Sequence, residues 1–202
     1  MNKTQLPTSI VQAIDWLNKR TASDAGWMLG GSCSLLIQGV CLSKPPQDID
    51  IYTDRQTAVE IHNSWIEAAI DVQEWNETPI YRSLLSHYTC CNCPVELVGQ
   101  FRIQTSWCRY ETVIHDVLWK HRILVTVGNH IIAIMPLSHE LIFNLLRDRL
   151  DRVDAIAAVI RQHPDRHINV MRTLLQQCAP ADIITAKVCE WIPEWKSLLN
   201  NE

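Results

Sequence analysis

The chain has 202 residues, 47% of them hydrophobic, and carries a formal net charge of −4 at pH 7. This length allows one domain, or a domain with a modest second lobe. The weak negative charge argues against broad binding to nucleic-acid backbones or anionic membranes, although a local contact with RNA is compatible with it. No apolar stretch is long enough to span a bilayer and the first residues lack a signal-peptide pattern, so we expect a cytoplasmic protein without a membrane partner.

Hydrophobic spacing predicts the first elements of the chain. Residues 9–20 have the apolar period of a helix, residues 27–29 form a short run typical of a buried strand, and residues 33–39 again resemble a helix. The turn between the last two consists of Gly30, Gly31 and Ser32. A buried strand that ends in two glycines and a hydroxyl before a helix leaves backbone N–H groups pointing at one spot, which suits a phosphate.

The sequence DIDIYT at 48–53 alternates polar and apolar residues, as a strand with one buried face should. Asp48 and Asp50 share the other face, about 6.5 to 7 Å apart from the rise per residue of a strand. Two carboxylates this close favour a bound cation. A helix is expected over 55–70 with Thr53 or Asp54 as its N-cap, and Thr53 with Gln56 fits a capping box; Asp54 is left outside the site.

Two more strands are expected over 80–89 and 94–99, and the lone acid Glu96 interrupts the second between apolar neighbours. The turn that joins them contains a cysteine cluster. Its C-x-x-C spacing is that of a zinc or redox site, but no second ligand pair accompanies it, so small buried thiols beside a turn are favoured. In a chain of this size we expect the eight cysteines to be reduced. The members of the cluster are Cys90, Cys91 and Cys93.

The last third of the sequence changes from strand-like to helical patterns. Strand-like runs over 111–134 surround a hairpin turn at Gly128 and Asn129. A long amphipathic helix is expected over 136–162 with Ser138 as its N-cap, and prolines divide the helical segments that follow it. The expected division is 1–135 for the mixed α and β portion and 136–202 for a helical lobe.

The glycine turn, the Asp-x-Asp strand and the later acid occur in the order of a known signature. The sequence resembles the nucleotidyltransferase superfamily with the DNA-polymerase-β-like fold, in which h-G-[GS] is followed by D-h-[DE]-h and by a third carboxylate on a later strand. The match covers roughly residues 25–100. The strand pair and helix around residue 136 also resemble small bacterial members that modify antibiotics or act in toxin–antitoxin pairs. The matching stretches are Leu29-Gly30-Gly31-Ser32, Asp48-Ile49-Asp50-Ile51 and Val95-Glu96-Leu97.

The resemblance implies an α+β fold, with a mixed or antiparallel sheet flanked by helices and an all-helical C-terminal lobe. It also implies that Asp48, Asp50 and Glu96 are the catalytic residues and hold two Mg²⁺ ions, or Mn²⁺ in their place. The 30–32 turn is expected to bind the β and γ phosphates of an NTP. Arg82 is a candidate nucleotide contact, with a surface ion pair as the alternative.

The implied reaction transfers an NMP group from an NTP to an acceptor hydroxyl and releases pyrophosphate, with Glu96 taking the proton of the hydroxyl. A small-molecule acceptor is favoured. One alternative is a toxin–antitoxin-type enzyme that acts on tRNA or on a partner protein, although the low positive charge disfavours tRNA. Another is a non-catalytic nucleotide-binding module of the same fold, against which the intact acids argue. An oligomer is compatible with the sequence.

Overall fold

The computed structural model describes residues 6–22 and 25–199. Its strands are β1 (Trp27–Gly30), β2 (Ile49–Thr53), β3 (Glu74–Glu77), β4 (Tyr81–Cys90), β5 (Cys93–Gln104), β6 (Arg109–Glu111), β7 (Ile123–Val127), β8 (His130–Ile134) and β9 (Cys178–Ala179). Its helices are α1 (Thr8–Arg20), α2 (Gly31–Ile37), α3 (Arg55–Ser64), α4 (Leu137–Leu146), α5 (Leu150–Ile160), α6 (Ile168–Leu175), α7 (Ala181–Trp191) and α8 (Lys196–Leu199). No helix in these ranges combines the length and apolar character needed to cross a membrane.

The strands form one mixed sheet. Its order is β3-β4-β5-β2-β1-β8-β7, and β6 joins β5 to the short β9. In the centre, β1 runs antiparallel to β2, and β2 runs parallel to β5. The register places Gly30 beside Asp50 and Asp50 beside Glu96. The three parts of the sequence signature therefore form one row across the middle of the sheet.

Each face of the sheet has its own core. One face packs against α1 through a cluster that includes Ile49. The other packs against the C-terminal helices through a cluster that includes Tyr52 and Val98. Because side chains alternate along a strand, Asp50 and Glu96 emerge on the face of Tyr52 and Val98. The acidic row, formed by Asp50 and Glu96 beside Gly30, is thus on the side of the sheet that the C-terminal helices cover.

The predicted α+β class and several of its elements are confirmed. The first predicted helix is α1, and the predicted hairpin at residues 128–129 joins β7 to β8. The cysteine turn is also confirmed, since Cys91 and Asn92 adopt left-handed backbone between β4 and β5. Cys90 and Cys93 flank this turn and are buried. Hydrophobic period and turn chemistry are local signals, which is why these elements could be predicted.

The bounds of two predicted helices are wrong. α2 begins at Gly31 rather than residue 33, so Gly31 and Ser32 of the predicted turn are its first residues. It stops at Ile37 rather than residue 39 because Gly39, with φ +82°, closes it in a left-handed C-terminal turn. α3 stops at Ser64 rather than residue 70 because the next residue, Trp65, turns into the core. Its indole packs edge-on against Tyr88, with ring centroids 5.4 Å apart. Tertiary packing therefore overrides the helical pattern of 65–70.

Of the two predicted caps of α3, the structure places Asp54 rather than Thr53 at the cap position. The hydroxyl of Thr53 donates to the carbonyl of Gly26 at 2.6 Å and so ties β2 to the start of β1. Asp54 occupies the cap position, but its carboxylate accepts hydrogen bonds from the backbone N–H groups of Ile114 and His115, at 2.9 and 2.7 Å. Asp54 thus anchors the loop after β6, consistent with its exclusion from the site.

The single helix predicted over 136–162 is two helices. α4 ends at Leu146, and the backbone N–H of Arg149 donates to the carbonyl of Asn144 while that of Asp148 donates to Leu145. This pattern is a Schellman motif with Asp148, at φ +55°, in the position that glycine usually takes. Ser138 is not the cap either, because its hydroxyl donates to the carbonyl of His167 at 3.2 Å. The break lets α4 and α5 pack against each other.

The C-terminal lobe contains α4 to α8, with one departure from the all-helical expectation. Residues 178–179 form the two-residue strand β9, which pairs antiparallel with β6. One apolar cluster includes residues from α4 to α7 and from the sheet, for example Tyr52 and Leu141. The boundary expected at residue 135 stays a prediction.

Candidate active site

The backbone of Gly31 lies directly against the carboxylate of Asp50. A Cβ atom added at Gly31 would meet the Oδ2 atom of Asp50 at 1.8 Å, and the backbone there has φ +58°. Both facts require glycine, since other residues rarely adopt this φ and none could place a side chain there. The second glycine of the motif is therefore fixed by the position of Asp50.

Asp50 is the electrostatic centre of the row. The pKa of its carboxyl is raised to about 7, first by burial and then by the carboxylates of Asp48 and Glu96, while Arg147 and Arg152 act in the opposite direction. The site thus holds more negative charge than its own cations balance. Carboxylates in this situation favour a proton or a cation.

Glu96 has an imidazole neighbour, His87, which sequence reasoning missed. His87 lies opposite Glu96 on β4, with its Nε2 atom 3.9 Å from the Oε1 atom of Glu96. Its Nδ1 atom contacts the carboxylate of Asp71, which also accepts a hydrogen bond from the backbone N–H of His87 at 2.8 Å. Burial raises the pKa of Asp71, but these hydrogen bonds from His87 outweigh it and hold the pKa below its ordinary value. His87 is therefore fixed beside Glu96 by a second carboxylate.

The predicted phosphate turn already has an internal acceptor. The backbone N–H of Gly31 donates to the Oε1 atom of Glu140 at 2.9 Å. Glu140 lies in the first turn of α4 and is only 2% exposed. The pKa of Glu140 is raised to about 8, first by burial and also by the charge of Asp50, against the opposite effect of the Gly31 hydrogen bond. Sequence reasoning missed this residue, whose one signal is a lone acid in an apolar helix.

Glu140→Gln is expected to stabilise the metal-free protein by about 4 kcal/mol at pH 8 and by less than about 1 kcal/mol at pH 5. The folded pKa of Glu140 is raised, so the folded state retains a proton that the unfolded chain loses above its ordinary pKa. Wild-type stability therefore falls between about pH 4.5 and pH 8. Glutamine retains the acceptor for Gly31 and does not ionise. Urea unfolding at both pH values measures the difference.

Glu140→Leu serves as the control because it removes both the charge and the hydrogen-bond acceptor. It should destabilise the protein at pH 5, where glutamine does not, because the Gly31 N–H then loses its partner. Equal pH dependence in wild type and Glu140→Gln would contradict the ionisation of Glu140 in this window.

The structure does not bring Arg82 to the acidic row. Ser83 faces the row, and the adjacent Arg82 points to the other face of the sheet. There its Nε atom lies 2.7 Å from the Oε1 atom of Glu77, and its guanidinium lies 4.2 Å from the centre of the Trp75 ring. Arg82 forms the surface ion pair that was the alternative for this residue.

Arg147 is instead the arginine of the site. It lies directly after α4, with its guanidinium 4.9 Å from the ring centre of Phe143. The break after α4 separates it from the acids of α5, of which Asp151 pairs with Arg149. Arg147 lines a cleft of about 180 Å³ that also reaches Asp50 and Glu96.

The donor set of the row fits a divalent metal in its chemistry. Asp48, Asp50 and Glu96 offer carboxylate oxygens, which Mg²⁺ prefers, and such an ion would balance the charge of Asp50, whose pKa is raised by burial and then by the neighbouring carboxylates. Within residues 6–22 and 25–199, no three His, Cys, Asp or Glu side chains already stand together as metal ligands. Asp48 and the half-exposed Glu96 would therefore have to turn toward Asp50.

The comparisons with known proteins concern the fold. No protein-family model matches the chain, and no curated protein matches its sequence. Among solved structures, a proposed nucleotidyltransferase from Thermotoga maritima superposes with a TM-score of 0.63 at 20% identity, over 79% of this chain and 97% of that one. The lincomycin-bound lincosamide antibiotic adenylyltransferase LnuA superposes with a TM-score of 0.45 at 10% identity, over 77% and 99% of the two chains. ANT(2")-Ia in complex with adenylyl-2"-tobramycin gives 0.45 at 11% identity, over 93% and 99%. The first of these matches confirms, for the fold, the resemblance to nucleotidyltransferases.

Proposed function

We propose that this chain is a metal-dependent nucleotidyltransferase that moves an NMP group from an NTP to the hydroxyl of a small molecule and releases pyrophosphate. The observation that carries the proposal is the row of Gly30, Asp50 and Glu96 on three adjacent strands, with an excess of negative charge at Asp50. The fold shared with the Thermotoga protein supports it. The modest volume of the cleft beside Glu96 favours a small acceptor.

Asp48, Asp50 and Glu96 would hold the metal, for which Mg²⁺ is the first candidate and Mn²⁺ the second. When bound, Mg²⁺ neutralises the triphosphate and lowers the pKa of the acceptor hydroxyl. The Gly31 backbone keeps the Asp50 carboxylate in place from one side, and His87 flanks Glu96 from the other.

The reaction itself needs few groups of the protein. Backbone N–H groups of the 30–32 turn bind the β and γ phosphates, and Glu140 orders this turn through Gly31. Glu96 takes the proton from the acceptor hydroxyl, whose oxygen forms a bond to the α-phosphorus. The bond from that phosphorus to the bridging oxygen breaks, and pyrophosphate leaves with the electron pair.

Titration calorimetry of each NTP in the presence of Mg²⁺ tests the proposal without knowledge of the acceptor. We expect one NTP or more to bind to wild type only when Mg²⁺ is present, and binding to be lost in Asp48→Asn/Asp50→Asn. Asp151→Asn/Asp154→Asn, which changes two acids on α5, is the matched control and should bind as wild type does. Absence of binding for all four NTPs would contradict the proposal.

A further inference from the structure

We propose that the cleft beside Glu96 binds the acceptor, and that the reacting hydroxyl is carried on a single flat ring whose far end is anionic. This inference rests on the proposed nucleotidyl transfer and specifies its acceptor. The cleft joins the acidic row to a group of aromatic rings and to one arginine, which are Tyr81, Phe101, Phe143 and Arg147.

The order of the strands decides which substrate lies in the cleft. Gly30 is on β1, Asp50 on β2 and Glu96 on β5, so Asp50 lies between the phosphate turn and Glu96. In an in-line displacement the attacking oxygen and the leaving group are on opposite sides of the phosphorus. Pyrophosphate leaves on the side of the phosphate turn. The acceptor must therefore approach from the side of β5 and β4, where the cleft lies.

The walls of the cleft suit a flat apolar body. The ring centres of Phe101 and Phe143 are 5.2 Å apart and those of Tyr81 and Phe101 are 5.8 Å apart, so the rings hold one another in fixed orientations. Tyr81 and Phe101 are half-buried and line the cleft. A volume of about 180 Å³ accommodates one ring, since an apolar cavity of about 150 Å³ can hold a benzene molecule.

Arg147 determines which charge on the acceptor the cleft prefers. Among the described residues no carboxylate forms an ion pair with its guanidinium, which packs instead against Phe143. The charge of Arg147 lowers the pKa of Asp50, but Asp50 is a ligand of the proposed metal site. Arg147 is therefore the cation left to an anionic group on the acceptor, and it repels a cationic one.

The chemical step follows from this placement. The oxygen of the ring-borne hydroxyl forms the bond to the α-phosphorus, and its proton passes to Glu96. The bond to the bridging oxygen breaks with its electron pair on pyrophosphate. The product is a nucleotidyl ester of the ring compound.

Three probes with the same ring test the inference: 4-hydroxyphenylacetate is anionic, 4-hydroxyphenylethanol neutral and tyramine cationic. Their dissociation constants are measured by ligand-observed NMR with the full chain, Mg²⁺ and α,β-methylene-ATP, which cannot react. We expect the anionic probe to bind about tenfold more tightly than the cationic one, as one charge-assisted hydrogen bond would give. The neutral probe should lie between them.

Two variants connect this preference to the cleft. Arg147→Met should remove the difference between the anionic and cationic probes and change the affinity for the ATP analogue less than twofold. Arg122→Met is its matched control, because Arg122 also lies over a ring, 4.5 Å from that of Trp119, but outside the cleft. Asn76→Trp, on the exposed edge strand β3, should narrow the cleft and weaken all three probes.

Equal affinities for the three probes, or a preference for tyramine, would overturn the inference. A loss of affinity for the ATP analogue in Arg147→Met, with the probes unaffected, would assign Arg147 to the nucleotide and overturn it as well. In both cases the analogue still binds to wild type, so the proposed function stands. If the ATP analogue does not bind, the same experiment uses the α,β-methylene analogue of the NTP that does. Failure of the analogues of all four NTPs to bind with Mg²⁺ would contradict the proposed function and the inference together.

Discussion

Asp50→Asn should reduce nucleotidyl transfer on the order of 10³-fold and, without metal, make the protein more stable at pH 8. The loss of activity follows because Asp50 is the central ligand of the proposed metal site. The gain in stability follows because the pKa of Asp50 in the folded state is raised to about 7. The folded state therefore releases this proton at a higher pH than the unfolded chain does, and the stability of the wild type falls as pH rises from about 4 to 7. Asparagine does not ionise, and we expect a gain of about 4 kcal/mol at pH 8.

Pyrophosphate release from Mg-NTP, with glycerol as a general hydroxyl donor, measures the activity, and urea unfolding in EDTA at pH 5 and pH 8 measures the stability. Asp116→Asn is the control, because Asp116 is an exposed aspartate on the loop before β7 and its neutralisation should change neither quantity. An Asp50→Asn protein with wild-type transfer would refute the site. A stability gain of equal size at pH 5 and pH 8 would contradict the ionisation of Asp50 as its cause.

The acidic row could be predicted because its information is local. Strand alternation placed Asp50 and Glu96 on the polar sides of their strands, and two glycines marked the close approach of the backbone. The structure adds the register that makes Gly30, Asp50 and Glu96 neighbours. Register depends on pairing between distant segments, which spacing along the chain does not encode.

The residues that sequence reasoning missed reach the site from elements whose position depends on tertiary contacts. Glu140 and Arg147 belong to α4 and its end, and the break at Asp148 uses an aspartate where the sequence rule expects glycine. The amphipathic period runs through the break without change, so it predicted one helix. β3, with every residue exposed, has no apolar alternation to reveal it.

His87 illustrates the same limit on the other side of the row. Its partner Asp71 lies 16 positions earlier in a segment outside the named helices and strands, and the contact forms because that segment returns along β4. Such a contact has no periodic signature. The sequence gives the residue type at each motif position, and the fold determines which residues lie next to it.

Gly31→Ala should reduce nucleotide binding and transfer far more than it reduces stability. The new Cβ atom would lie 1.8 Å from the Oδ2 atom and 2.8 Å from the Cγ atom of Asp50, so the carboxylate must rotate away from the row. We expect transfer to fall on the order of 10²-fold or more, because a displacement of about 1 Å in a reacting group has such an effect. The stability cost should be about 1 kcal/mol, from alanine at φ +58°.

Gly39→Ala separates the backbone effect from the contact with Asp50. Gly39 also has a left-handed backbone, at φ +82°, but nothing lies within 4 Å of the added Cβ atom. Its stability cost should therefore match that of Gly31→Ala, with a drop of about 2 to 4 °C in Tm, while magnesium-dependent nucleotide binding stays as in wild type. Loss of binding in both variants would mean that strain at the ends of α2 is the cause. Loss in Gly31→Ala alone would show that the position of the Asp50 carboxylate governs binding of the nucleotide.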